Sequence, residues 1–213
     1  MHLISRIEKR SSGRYQILLE GEDSFPLYYK ELRQYGIEEG GVLTEQSYQE
    51  IMRELLPVRA KKKALHLLER MDRTEQQLYR KLADGGYPDQ VAKEAVDYVK
   101  SYHYIDDVRY ARSYIESRKA AKSLRQIERE LYQKGITRED FQCAAAQLEA
   151  PDEERQILSW IEKKRFCVAQ ADLKETDRFI RFLLYRGYGT AVIQKVLRKC
   201  AEFADENVEL HKN

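Results

Sequence analysis

One pattern occurs three times in this chain, and it limits what the chain can fold into. Leu78, Leu82, Gly86 and Tyr87 return as Ile127, Leu131, Gly135 and Ile136, then as Phe179, Leu183, Gly187 and Tyr188. The offsets are 49 and 101 residues, a period near 50. The same offsets carry Ala92, Ala95 and Val99 onto Phe141, Ala144 and Leu148, and then onto Ile193, Val196 and Cys200. Apolar residues four apart, a glycine and a second apolar stripe describe two helices joined at a tight corner. Units of this size bury their apolar faces against neighbours, so the chain is expected to be a tandem array. Arrays of this kind usually present binding surfaces rather than catalytic clefts.

Each unit reads as three helices. Ala64, Leu67, Leu68 and Met71 share one helical face. Thr74 with Gln77, and Ser123 with Gln126, have the spacing of capping boxes at equivalent positions. Gly85-Gly86 closes one helix and Pro88 can open the next. Asp106-Asp107 is read as an N-terminal cap for a helix whose packing face includes Tyr110, Ala111, Tyr114, Ile115 and Arg118. The expected divisions are 58–106, 107–151 and 152–213, the third with an insertion at 165–175 and an acidic tail. Residues 1–57 differ in character. Short β-rich runs separated by turns at Ser11-Ser12-Gly13 and Glu20-Gly21-Glu22-Asp23 predict a small antiparallel β-meander, with Pro26 placing the third strand at an edge or itself at a strand end. Short helices follow, the second running from a Thr44 cap to a stop at Pro57. The fold class is therefore mainly α, three three-helix, helix-turn-helix-like repeats behind a β-meander.

Charge is unevenly placed. Residues 1–57 and 202–213 are each net −3, whereas 58–201 holds 30 basic and 22 acidic side chains, net +8. A moderately basic middle suits nucleic acid or an acidic protein groove. No apolar run is long enough for a membrane span, and no secretory leader is recognised at the N-terminus. Cys143, Cys167 and Cys200 form no CxxC pair, so they read as free thiols in a reducing cytoplasm, with Cys143 and Cys200 expected in cores.

The runs LLERMDRTEQQLYRKLADGGY, YHYIDDVRYARSYIESR (Tyr102 to Arg118) and RQIERELYQKGI (Arg125 to Ile136) resemble the RecX family of regulators of the RecA recombinase. RFIRFLLYRGYGTAVIQKVL (Arg178 to Leu197) is similar to the final repeat of that family. Their order, spacing and threefold recurrence carry the resemblance, from about residue 58 to 200. It implies a cytoplasmic, non-enzymatic partner of RecA and its filament on DNA, acting in DNA repair, recombination and the SOS response. Inhibition of ATP hydrolysis and strand exchange is the activity implied, with a weak direct contact to DNA as an addition.

No catalytic residues, metal ligands or cofactor are expected. His2, His66, His103 and His211 are scattered, and neither double glycine has the frame of a phosphate loop. Three basic clusters are the candidate contacts to RecA or DNA: Arg59, Lys61, Lys62 and Lys63; Lys119, Lys122, Arg125 and Arg129; Lys163, Lys164 and Arg165. They would position the array on phosphates without reading bases. Tyr98, Tyr102, Tyr104, Tyr110 and Tyr114 gather at the junction of the first two repeats. Packing between repeats is expected of them, Tyr104 locking the corner, with base stacking as the other role. The competing function is an independent DNA-binding array of helix-turn-helix corners, against which Asp89, Glu94 and Asp97 on the second corner helix argue. A monomer is expected.

Overall fold

A computed structural model describes residues 1–10, 13–21 and 24–210, with side chains up to residue 202. The turn residues Ser11, Ser12, Glu22 and Asp23, the side chains of the acidic tail from residue 203, and His211 lie outside the described residues. Two compact units are present, Met1–Asp107 and Val108–Asn213.

The first unit opens with strands β1 (His2–Lys9), β2 (Arg14–Leu19) and β3 (Phe25–Tyr28), followed by helix α1 (Tyr29–Gln34). A two-residue strand, β4 (Val42–Leu43), pairs antiparallel with β1 and completes a four-stranded sheet ordered β3-β2-β1-β4. The β-meander is therefore one strand wider than its sequence suggests. Pro26 lies on β3 at the sheet edge, where no ladder donor is required of it.

Thr44 caps α2 (Glu45–Glu50), accepting from the Ser47 N–H at 3.2 Å. Contrary to expectation, the helical path does not stop at Pro57. A π-helical turn, Ile51–Leu55, carries α2 directly into α3 (Leu56–Arg70). Its wider register closes on a bond from the Leu56 N–H to the Ile51 carbonyl and places Pro57 in the first turn of α3, where a missing N–H costs nothing.

Helices α4 (Glu75–Ala83) and α5 (Asp89–Ser101) complete the first repeat with α3. The second comprises α6 (Asp107–Arg118), α7 (Leu124–Gln133) and α8 (Arg138–Ala145). The third comprises α9 (Glu153–Lys164), α10 (Leu173–Tyr185) and α11 (Thr190–Leu210). The extra length of the third repeat forms the connection after Lys164, and Leu173 to Glu175 becomes the first turn of α10.

The recurring apolar residues are the cores. Leu78, Leu82, Ala92, Ala95 and Val99 are fully buried, as are Ile127, Leu131 and Ala144, and Leu183 and Ile193. In the first unit that core is continuous with the sheet, joining Ile17, Phe25 and Leu27 to Ala60, Ala64 and Leu78. The second and third repeats each hold a separate apolar cluster.

Capping at the repeat corners goes further than the sequence suggests. Thr74 and Gln77 form the reciprocal box. At the second corner the expected box is only half made: Ser123 accepts the Gln126 N–H, but the Gln126 side chain donates to Glu130 at 3.3 Å, and the Ser123 hydroxyl donates to the Arg186 carbonyl of the third repeat at 2.6 Å. Asp107 is the first residue of α6, and its buried carboxylate accepts the Glu75 N–H of α4 at 3.0 Å. An acid read as a cap for its own helix thus serves α4, the middle helix of the first repeat. Cys143 is exposed rather than buried, because Phe141 and Ala144 take the inward face of α8. Cys200 is half-buried against the third cluster, and burial pushes its thiol pKa up.

Candidate functional site

The three basic clusters have different surroundings. In the first, Arg59 is turned inward. It pairs with Glu31 of α1, donates to the Pro26 carbonyl at 3.3 Å and lies 4.8 Å from the Tyr28 ring centroid. It fastens α3 to α1 and the sheet. Lys61 sits over the Tyr98 ring at 4.8 Å, while Lys62 and Lys63 are exposed.

The second cluster joins repeat to repeat. The Lys122 ammonium lies 2.6 and 2.7 Å from the two oxygens of Glu130. Burial works against the Glu130 carboxylate, but hydrogen bonds from Lys122 and the Tyr114 hydroxyl outweigh it and hold the pKa below the ordinary value. Lys119 pairs with Glu116 at 2.8 Å. The Lys119 and Lys122 carbonyls both accept from the buried Gln156 side chain of α9, at 2.6 and 3.3 Å. Arg129 donates to the Tyr185 carbonyl of α10 at 3.0 Å, and Arg125 is exposed beside it. Glu153, at the start of α9, accepts the Leu124 N–H that opens α7; burial nevertheless raises its pKa. Asp107 and Glu153 therefore do the same work one repeat apart, each completing the N-terminus of the middle helix before it. Their common position, four residues before Ala111 and Ile157, is the sequence signal for this role.

A similar arrangement closes the first repeat against the sheet. Gln16 donates to the Gly86 carbonyl at 3.0 Å and Arg14 to the Gly85 carbonyl at 3.5 Å. These bonds occupy the same kind of corner that Ser123 and Arg129 occupy in the third repeat. Nothing in the β-meander sequence marks Gln16 for this role.

The third cluster borders an open cavity of about 550 Å³ lined by Lys164, Arg165, Phe166, Arg178, Phe179 and Phe182 among others. Lys163 lies 5.3 Å from the Trp160 centroid and Lys164 5.2 Å from that of Phe182. Arg165 ends α9 in the left-handed conformation, φ 50° and ψ 41°, uncommon for a residue with a Cβ. Arg186, 4.0 Å from the Trp160 centroid, was not singled out by sequence because nothing local distinguishes it from other arginines.

Of the eleven candidates, Lys62, Lys63, Arg125, Lys163, Lys164 and Arg165 are exposed. Arg59, Lys119, Lys122 and Arg129 are engaged within the fold. Among the described residues no three His, Cys, Asp or Glu side chains converge to hold a metal, and no helix is long and apolar enough to cross a membrane. His66 is half-exposed and lies 3.4 Å from Glu69 on the same helix.

These features define a tandem array of three-helix repeats with cationic faces, a class whose surfaces serve to bind other macromolecules. The first, second and third three-helix domains of RecX match residues 60–98, 106–144 and 152–197 in that order. The chain belongs to the RecX family, a family of regulatory proteins. It is 29% identical over 197 residues to the regulatory protein RecX of Caldanaerobacter subterraneus subsp. tengcongensis, covering 92% of this chain and 98% of that one. To the RecX of Vibrio campbellii it is 33% identical over 150 residues, 70% of this chain and 93% of that one. A crystal structure of regulatory protein RecX superposes with a TM-score of 0.61 at 25% identity, covering 92% of this chain and 98% of that chain.

Proposed function

We propose that this protein binds the RecA recombinase and its filament on DNA, and restrains recombinase activity in repair, recombination and the SOS response. The observation that carries the reading is the complete, ordered set of three RecX domains between residues 60 and 197. Binding that favours one filament state shifts the filament toward that state and needs no catalytic side chain. Several weak contacts along one chain add through effective concentration. Lys62 and Lys63 at the first repeat, Arg125 at the second, and Lys163, Lys164 and Arg165 at the third are the cationic contacts proposed. Arg59, Lys122 and Arg129 make contacts inside the fold, Lys119 pairs with the neighbouring Glu116 and Lys61 lies over Tyr98, so their part in the proposed contact is secondary. The protein acts as a cytoplasmic monomer in this reading, with weak direct contact to DNA.

Against an independent duplex-reading array stands the solvent face of α5, where Asp89, Glu94 and Asp97 are exposed. Lys93 neutralises Asp89 at 2.5 Å, and the remaining Glu94 and Asp97 make this face unfavourable for a phosphate backbone. The test is purified protein added to RecA on single-stranded DNA, with ATP hydrolysis and filament length followed together. Substoichiometric protein is expected to lower hydrolysis or shorten filaments. If neither changes at equimolar protein, the proposed function is wrong.

A further inference from the structure

The tyrosines at the end of α5 are not packed away. Tyr102 is 60% exposed and Tyr104 56%, although Tyr87 and Tyr188 in the same fold are buried. The ring centroids of Tyr98 and Tyr102 lie 5.0 Å apart, and those of Tyr102 and Tyr104 6.3 Å apart, giving a continuous aromatic row. The turn that presents them is held from both sides. The His103 N–H donates to the Lys100 carbonyl and the Tyr104 N–H to the Val99 carbonyl, at 2.9 and 3.0 Å, while Ile105 is buried immediately behind. His103 takes φ 58°, a left-handed conformation at which glycine is the usual residue. One end of the row carries a cation, Lys61 over the Tyr98 ring, and Lys62 and Lys63 follow it exposed on α3.

We infer that Tyr102 and Tyr104, braced by the half-buried Tyr98, form a stacking platform for the bases of single-stranded nucleic acid, with Lys61 over the Tyr98 ring and Lys62 and Lys63 beside it receiving its phosphates. Aromatic faces held beside cations accept any unpaired base, because every base has a π-face, and the cations track the backbone. A duplex keeps its bases stacked on each other and cannot use the row. Asp97 and Asp106 adjoin the tyrosines in sequence, so the strand runs toward α3, where the charge is favourable. This site deepens the direct DNA contact of the proposed function and rests on that part of it; recombinase binding is separate, and because the site is tested without the recombinase, the two can fail independently.

The experiment is fluorescence anisotropy of labelled oligo(dT), about 20 nucleotides long, titrated with the full-length protein at fixed salt. Tyr102→Ala and Tyr104→Ala are each expected to weaken binding by about tenfold, the effect of losing one base–aromatic stack. Tyr102→Trp retains affinity, and its second indole adds fluorescence, above that of Trp160 in the wild type, that the oligonucleotide quenches. Lys61→Gln weakens binding and reduces its salt dependence by roughly one phosphate contact. Variant folding is checked by helical circular dichroism. Wild-type protein that does not bind the oligonucleotide overturns the inference, as do folded alanine variants with unchanged affinity. An equal loss on duplex DNA overturns stacking in favour of charge alone. Intact oligonucleotide binding with loss of recombinase capture makes the row a protein contact instead.

Discussion

Gly187, like Gly86 against Gln16, sits under two demands that a residue with a Cβ cannot satisfy. Its φ of 90° lies in the left-handed region, and an added Cβ would sit 2.7 Å from the Ser123 hydroxyl and 3.2 Å from the Gln126 nitrogen. Gly187→Ala is expected to destabilise by roughly 2–4 kcal/mol, combining backbone strain with overlap in a packed junction. Gly36→Ala, at φ 61° with open space around it, should cost only about 1 kcal/mol. Thermal unfolding of the two variants separates strain from crowding. Glu153 is the residue whose ionisation tests the repeat junction. Burial raises its folded pKa above the ordinary carboxylate value of 4.5. Such a carboxyl binds its proton more tightly when folded, so its contribution favours folding below pH 4.5 and is lost as pH rises through the folded value. Glu153→Gln keeps the acceptor for the Leu124 N–H and removes that loss. It should be at least as stable as wild type at neutral pH, the difference shrinking as pH falls toward 4.5. Melting curves across that range decide it: a difference that grows as pH falls contradicts the assignment.

At the scale of elements, caps were the most readable feature. Thr74, Ser123 and the box spacing were legible because an N-cap needs only a short oxygen side chain ahead of a helix. What the caps touch beyond their own helix was not legible. Thr137 accepts from the Asp140 N–H and serves only α8, so Thr137→Ala should cost about 1 kcal/mol. Ser123→Ala loses the cap and the bond to the Arg186 carbonyl, leaving a carbonyl in a part-buried site, so roughly 2–3 kcal/mol is expected. Comparing the two by urea denaturation checks whether the corner is a joint between repeats. The π-helical turn before Pro57 belongs to the same class of omission. A proline reads locally as a stop, and only the packing of Ile51 and Leu56, both fully buried, selects the continuous path.

In the whole molecule, the N-terminal sheet covers the first repeat within the first compact unit. The first repeat's corner receives Gln16 and Arg14 where the third repeat's corner receives Ser123 and Arg129. Terminal repeats of a solenoid need such a cover for their apolar face. Removing residues 1–57 would strip Ile17, Phe25, Leu27, Ile51 and Leu56 from the core that contains Leu78 and Val99. That truncation should therefore lose amide protection throughout the first repeat, whereas residues 108–213 made alone should unfold cooperatively, since both apolar clusters lie within them. Hydrogen exchange followed by mass spectrometry tests both statements. Full protection of the first repeat in the truncated chain would refute the capping role.

By itself, the sequence determined the repeat, its three-helix units, its caps and its family, because these rest on local spacing: apolar residues every third or fourth position, a glycine at φ > 0, an oxygen ahead of each helix. It also located the basic clusters. Which basic residues remain exposed was decided by tertiary structure, since pairing with Glu31, Glu116 or Glu130 depends on neighbours distant in sequence or on helix orientation. The tyrosine row makes the same point. Its sequence predicted packing for Tyr104, and the fold instead buried Ile105 and left Tyr102 and Tyr104 exposed. Side-chain type sets what a residue can contribute; burial, a property of the whole chain, sets whether that contribution is made inside the fold or to a partner.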